Sequence, residues 1–348
     1  MLNIELLKKI TETPGAPGFE NKVRALICDE ISGLADDLSI DNLGNIIAIK
    51  KGTEAKKVMV AAHMDEISFI VTHIDDDGFV RFHTLGGFDP KTLTAQKVTI
   101  HGKQDIIGVM GTKPIHVLTP EEKSKAPKIT DFFIDTGMTK DQLTSLVEVG
   151  DPITRRGDLE VLGNTVNGKS IDNRISVFIL IEVLKKLKLS SIPYDLYAVF
   201  TTQEEVGIRG AITAASGIDP DFGIALDVTL ACDVPGMAPH EHITKIGKGA
   251  AIKIMDGSAI CDQRMVSFLK SVAEAKNIPY QMEILPAGGT DTAGIQRSAK
   301  GGAITGAISI PTRYLHQVIE MAHIEDIKNC IDLLTHALQR MDHHKWNY

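Results

Sequence analysis

The chain has 348 residues, of which 43% are hydrophobic and 24% charged, with a formal net charge of −8. That length gives room for about two domains of roughly 150 residues, and the composition excludes a disordered or fibrous chain. The acidic balance, with no cluster of Lys and Arg, argues against a nucleic-acid partner, and no stretch reaches the roughly 18 apolar residues of a membrane span.

The N-terminal "MLNIELLKKITETPG" has the spacing of a short amphipathic helix, with Ile4, Leu7 and Ile10 on one face and no long apolar run of a secretory signal. Cys28, Cys232, Cys261 and Cys330 are scattered without CxxC spacing, so neither a zinc ribbon nor a disulfide framework is expected. Reduced thiols in the cytoplasm are the simplest expectation. Residues 21–34 predict a helix through Val23, Leu26, Ile27, Ile31 and Leu34, followed by strands within 45–52 and 57–63.

From about residue 66 to 163 the texture changes to short β-like runs separated by Gly and Asp turns, which predicts a β-rich, barrel-like module inserted into an α/β domain formed by 1–65 and 164–348. Within it, 118–132 is rich in charge and proline and reads as a mobile loop. The α/β texture then resumes. Residues 174–189 predict a helix that is apolar nearly all round, 194–201 and 222–228 predict buried strands, 261–277 a helix capped by Asp262, and 324–341 the last helix.

Four apolar runs end in groups that can bind metal: "KVMVAA" at His63, with Asp65 two residues on; "DLYAVFTTQ" at Glu204 and Glu205; "FGIAL" at Asp227; and "GAISIPTRYL" at His316. Ligands in open α/β sheets bind at the carboxyl ends of strands, so these residues are expected to converge. Asp172, in "NGKSIDNRIS", is by itself a helix N-cap; with the others it completes a set. Two imidazoles and several carboxylates suit Zn²⁺ or a similar dication, and the set exceeds the three protein ligands of one catalytic zinc, so two metals are expected. Such metals lower the pKa of bound water from about 15.7 towards roughly 7, so that a neighbouring carboxylate need remove only one proton to yield hydroxide.

The ordered series "AAHMDE", "KSIDNR", "TTQEEVGIRGA", "ALDV" and "SIPTRYLH" resembles the M42 family of metallo-aminopeptidases, which includes glutamyl and tetrahedral aminopeptidases, over essentially the whole chain. The resemblance implies a three-layer α/β/α catalytic domain of the dinuclear-zinc exopeptidase type. It implies that His63 and Glu205 hold one metal and Asp227 and His316 the other, with Asp172 as bridge. Glu204 is then the general base and acid, and Asp65 the carboxylate that orients a ligand imidazole. Zinc comes first among the metals implied, before cobalt and manganese. Gly289, Thr290, Asp291 and Arg313 are implied to lie by the pocket for the substrate side chain. The family further implies peptide substrates and dimers assembling into a hollow tetrahedral dodecamer, with the inserted module mediating assembly.

The run Gln317, Val318, Ile319 after the last histidine departs from the family pattern, which bears on the shape of the pocket near the second metal, and Ser68 is a milder departure on the way into the insert. His240 and His242 lack a third ligand and read as a polar loop, and His343 and His344 as solvent-exposed. "GGTD" lacks the GK[ST] ending of a phosphate loop. Competing functions are a metal-dependent deacylase or carboxypeptidase on the same core, and an endoglucanase. The latter needs two carboxyl groups facing each other across a glycosidic bond and leaves the two histidines without a role.

Overall fold

The computed structural model describes residues 2–347. The strand Glu54–His63 shows why a layered sheet forms: alternate residues Val58, Val60 and Ala62 enter one hydrophobic core, while Met59 and Ala61 enter another on the opposite face. A strand apolar on both faces needs covering on both. The helices Ile4–Glu12, Asn21–Ile31, Ile171–Leu187 and Ile324–Leu338 cover the first face, and Arg209–Ile218 with Asp291–Ser298 the second, giving the expected three layers.

Four parallel strands form the centre, in the order Tyr194–Thr201, Glu54–His63, Phe222–Leu230 and Ile304–Arg313. Register sets the site. Thr201 pairs with His63, and Asp227 lies two residues past the Ala225–Ala61 pair, level with His63. The strand expected to stop at Asp227 runs on to Leu230, because Val228–Leu230 continue to pair with Ile310–Thr312. Asp262 caps the helix Gln263–Lys276 as expected, its carboxylate accepting the Arg264 N–H at 2.9 Å.

The insert is a closed antiparallel barrel of Ser68–Ile74, Val80–Leu85, Lys97–His101, Asp105–Gly111, Phe133–Asp135 and Pro152–Arg155, packed around Phe69, Val98, Ile100, Ile134 and Ile153. Residues 160–162, counted with the insert on sequence texture, pair with Thr165–Gly168 in the large sheet. In the segment read as a loop, Thr119 and Glu122 cap each other at the start of a short helix, Pro120–Ser124. Among the described residues no helix is long and apolar enough to cross a membrane.

Candidate metal centre and active site

The carboxyl ends of the four central strands bring His63, Glu204, Glu205, Asp227 and His316 together with Asp172 at the wall of one cavity of about 640 Å³. Asp172 lies at its centre. Its Oδ1 is 3.3 Å from Nε2 of His63 and its Oδ2 is 3.2 Å from Nε2 of His316. Asp172 lies in a non-helical stretch at the start of the helix (φ −76°, ψ 106°), and its side chain spans the two imidazoles, where the sequence alone suggested a cap.

Two donor sets share Asp172: His63, Asp172 and Asp227, and Asp172, Glu205 and His316, with the ligand atoms of each set within 4.8 Å of one another. The implied pairing of His63 with Glu205 and Asp227 with His316 is therefore corrected. Asp227 is on the strand next to His63, whereas Glu205 lies beyond its strand end and reaches His316, at 3.6 Å. Glu204 belongs to neither set, although its Oε2 is 3.8 Å from Nε2 of His63.

Both imidazoles are oriented for ligation. Nδ1 of His63 lies 3.2 Å from the Asp65 carbonyl, and Nδ1 of His316 lies 2.8 Å from the Gly87 carbonyl, so the hydrogen sits on Nδ1 and Nε2 faces the site. The Asp65 carboxylate, 3.5 Å from Nδ1 of His63, accepts the main-chain N–H groups of Glu204 at 3.0 Å and Glu205 at 3.1 Å. The loop that follows the strand is thus fixed directly from the neighbouring strand end.

Burial and mutual repulsion raise the crowded acids of the centre. Burial, then the charge of Asp227 and Glu205 against the relief from His63, pushes Glu204 well above the usual carboxylate range. Burial, then Asp172, brings Glu205 to about 8, and Asp227 rises for the same two reasons. Burial also opposes ionisation of Asp172, but hydrogen bonds from His316 and His63 hold it well below its ordinary value. Burial pulls His316 down, yet Asp172 and Glu205 together raise it to about 10. Burial likewise opposes charging of His63, and hydrogen bonds to Asp172 and Asp65 overcome it. Once deprotonated, such a cluster carries surplus negative charge that a dication would neutralise.

Three buried residues that the sequence did not single out hold this arrangement. The Glu320 carboxylate accepts the N–H of Asp172 at 2.9 Å and of His316 at 2.8 Å. Arg155, at the end of the last barrel strand, donates to the His316 carbonyl at 2.8 Å. Glu66 accepts from Lys169 Nζ at 2.7 Å and from the Ser170 hydroxyl, which fixes the loop leading into Asp172. Ser170, Gln203, Ile208 and His316 take φ of 55°, 53°, 59° and 63°, a left-handed conformation that costs non-glycine residues on the order of 1 kcal/mol or more and gathers at functional sites.

Of the residues implied for the substrate pocket, Gly289 and Thr290 line the cavity. Asp291 does not: it is buried beneath and accepts the Thr201 hydroxyl at 2.5 Å. Arg313 is likewise outside the lining, gripped at 2.7 and 2.8 Å by both oxygens of Asp233. Gln317, Val318 and Ile319 also lie outside it, and the Ser68 hydroxyl is turned to the Glu66 carbonyl at 2.9 Å. His344, read as solvent-exposed, is half-buried against Trp346, with ring centroids 4.7 Å apart.

Comparison with known proteins agrees with this architecture. The family model described as M42 glutamyl aminopeptidase matches residues 44–333. The chain is 35% identical to the lysyl aminopeptidase of Pyrococcus furiosus, over 98% of each chain. The crystal structure of a TET aminopeptidase from the marine-sediment archaeon Thaumarchaeota archaeon SCGC AB-539-E09 superposes with a TM-score of 0.94 at 36% identity, covering 97% of this chain and 96% of that one. The TET1 peptidase of Pyrococcus horikoshii, described as able to assemble into a tetrahedron or a large octahedral shell, matches with a TM-score of 0.87 at 32% identity, covering 96% and 98%. With its fold and nearly its whole length in common with these proteins, the chain belongs to the M42 family of aminopeptidases, hydrolases of peptide bonds.

Proposed function

We propose that the chain is a dinuclear metal-dependent aminopeptidase in which His63, Asp172 and Asp227 hold one dication and Asp172, Glu205 and His316 the other. The observation that carries this reading is the placement of one carboxylate between two ligand-ready imidazoles. The donor set fits the group. Glu205 Oε1 is buried and has no hydrogen-bond partner, and the mixed nitrogen and oxygen donors suit zinc, with cobalt or manganese as alternatives. When bound, the two cations acidify a water to near neutrality and polarise the scissile carbonyl.

The remaining chemistry falls to side chains. Glu204, buried, facing the cavity and free of either donor set, takes a proton from the attacking water and delivers it to the leaving amine nitrogen. Asp65 keeps Glu204 and Glu205 in place through their main-chain N–H groups, so that neighbouring glutamates have separate roles.

The cavity also favours a free amino terminus over a free carboxylate. Among the described residues no Lys or Arg lines it, so a C-terminal carboxylate would find no basic side chain to pair with. This observation separates the aminopeptidase reading from a carboxypeptidase on the same core. Hydrolysis of aminoacyl-anilides beside N-acetylated controls tests it; equal cleavage of the acetylated compounds would contradict it.

The barrel is the proposed assembly module. Ile107, Val109, Ile115 and Val117 are exposed on or beside its strand Asp105–Gly111, an apolar surface suited to contact with another copy, and the Pyrococcus horikoshii relative forms closed shells. The expected particle is a dodecamer built of dimers. A lone monomer by size exclusion with light scattering would remove the cage. The free cysteines fit a reducing, cytoplasmic location.

A further inference from the structure

Resting on the aminopeptidase reading, the geometry points to a cavity that selects peptides with an uncharged, aliphatic N-terminal residue, of leucine or methionine type. Beyond the metal-centre residues, the side chains of the wall are mainly apolar: Ile208, Val228, Leu230, Leu285 and Leu315 in the catalytic domain, and Phe88 from the insert. The family model bears a glutamyl description and a close relative is a lysyl aminopeptidase, so the class of side chain accepted has to be read from this wall.

Charged side chains of substrate lack partners there. Basic side chains near the cavity are already committed: Arg155 donates to the His316 carbonyl, Lys253 is fully buried and paired with Glu283, and Arg313 is held by Asp233. With no Lys or Arg lining any part of the cavity among the described residues, an acidic side chain would lose its hydration without a basic side chain to compensate it. For a basic side chain the acids of the centre are occupied by the metals and the catalytic proton. The remaining acid is Asp89, exposed at the rim, where its carboxylate accepts the Lys91 N–H at 3.0 Å.

Backbone placement keeps the wall aliphatic. Ile208, in the left-handed conformation, packs over Gly289: a Cβ added there would lie 3.4 Å from Ile208 Cδ1 and 2.8 Å from the Ser258 hydroxyl. The Gly288–Thr290 loop is in turn anchored from below, where the Thr290 hydroxyl donates to Asp256 at 2.9 Å. Loop and isoleucine thus form one packed surface, set by the absence of a side chain at Gly289 and by the buried Asp256.

The test is a panel of Leu, Met, Ala, Glu and Lys anilides on the metal-loaded protein, with binding of Leu-Ala, Glu-Ala and Lys-Ala dipeptides to the Glu204→Gln protein measured by calorimetry. The expected kcat/KM for Leu exceeds that for Ala by about tenfold or more and that for Glu and Lys by about 100-fold, with the same order in binding. Leu285→Lys, and independently Ala287→Lys at a more exposed position, should raise the Glu-to-Leu ratio at least about tenfold. A wild-type protein that prefers Glu or Lys overturns the aliphatic assignment and leaves the aminopeptidase standing, with preference for Lys pointing to Asp89. Cleavage of none of the anilides, with no dipeptide bound, overturns both.

Discussion

Arg155 ends a strand of the inserted barrel, yet its guanidinium donates to the main-chain carbonyl of His316 in the catalytic domain, 2.8 Å away. The insert grips the same histidine a second time, since the Gly87 carbonyl receives its Nδ1–H. One ligand of the second donor set is therefore positioned by the insert as much as by its own strand.

Loss of that grip should affect one metal more than the other. Arg155→Met is expected to weaken the cation held by Glu205 and His316 by about 10- to 100-fold while sparing the one held by His63 and Asp227. Metal analysis after dialysis against limiting chelator checks this, the expected content falling from two ions per chain towards one. Equal loss of both would show that Arg155 acts on the fold as a whole.

The two adjacent glutamates should fail differently. Glu204→Gln preserves shape and both donor sets, so metal content should stay at two while kcat falls by about 10²- to 10⁴-fold. Glu205→Gln removes a donor, and its activity should recover in part at high metal concentration. Steady-state kinetics across a metal titration separates the two, because added metal cannot restore a missing base.

Proton competition gives the metal-free protein an unusual pH profile. Glu205 is raised from 4.5 to about 8 and His316 from 6.5 to about 10, so across these intervals the folded state binds more protons than the unfolded one. Stability of the metal-free form should accordingly fall as pH rises from about 5 to 9, because deprotonation favours unfolding there. Metal needs the deprotonated ligands, so its apparent affinity should rise over the same range. Thermal melts with and without metal at pH 5, 7 and 9 should therefore diverge progressively, with the largest stabilisation by metal at pH 9.

Beneath the cavity, Lys253 is fully buried in contact with Glu283 and 3.9 Å from Asp256. Lys253→Met strands two buried acids and should cost about 3–5 kcal/mol, whereas Lys253→Met combined with Glu283→Leu should recover most of that. Denaturant melts of the single and double variants measure the difference, and a double variant no better than the single would show that Asp256 is the partner that matters.

The strand residues of the site were legible because chemistry and periodicity coincide: both faces of 57–63 and 194–201 are apolar, and a ligand follows where each run ends. The division of donors was not, since it depends on Asp227 lying beside His63 in the sheet while Glu205, past its strand end, turns to His316. Glu320 and Arg155 act through main-chain N–H and C=O groups of the left-handed His316, an orientation that residue type alone does not encode. Arg313 looked available for substrate because the partner that occupies it, Asp233, is 80 positions away in sequence. Glu66, the last residue of the "AAHMDE" motif, has no local mark distinguishing a buried brace from an ordinary surface acid.

The most direct test of the centre is calorimetric titration of the metal-free protein and of Asp172→Asn with Zn²⁺, followed by leucyl-anilide hydrolysis at each metal equivalent. Two ions per chain, activity that develops as the second binds, and weakening of both sites in Asp172→Asn are the expected results. A single ion at full activity, or two ions untouched by the substitution, would contradict a centre built around Asp172.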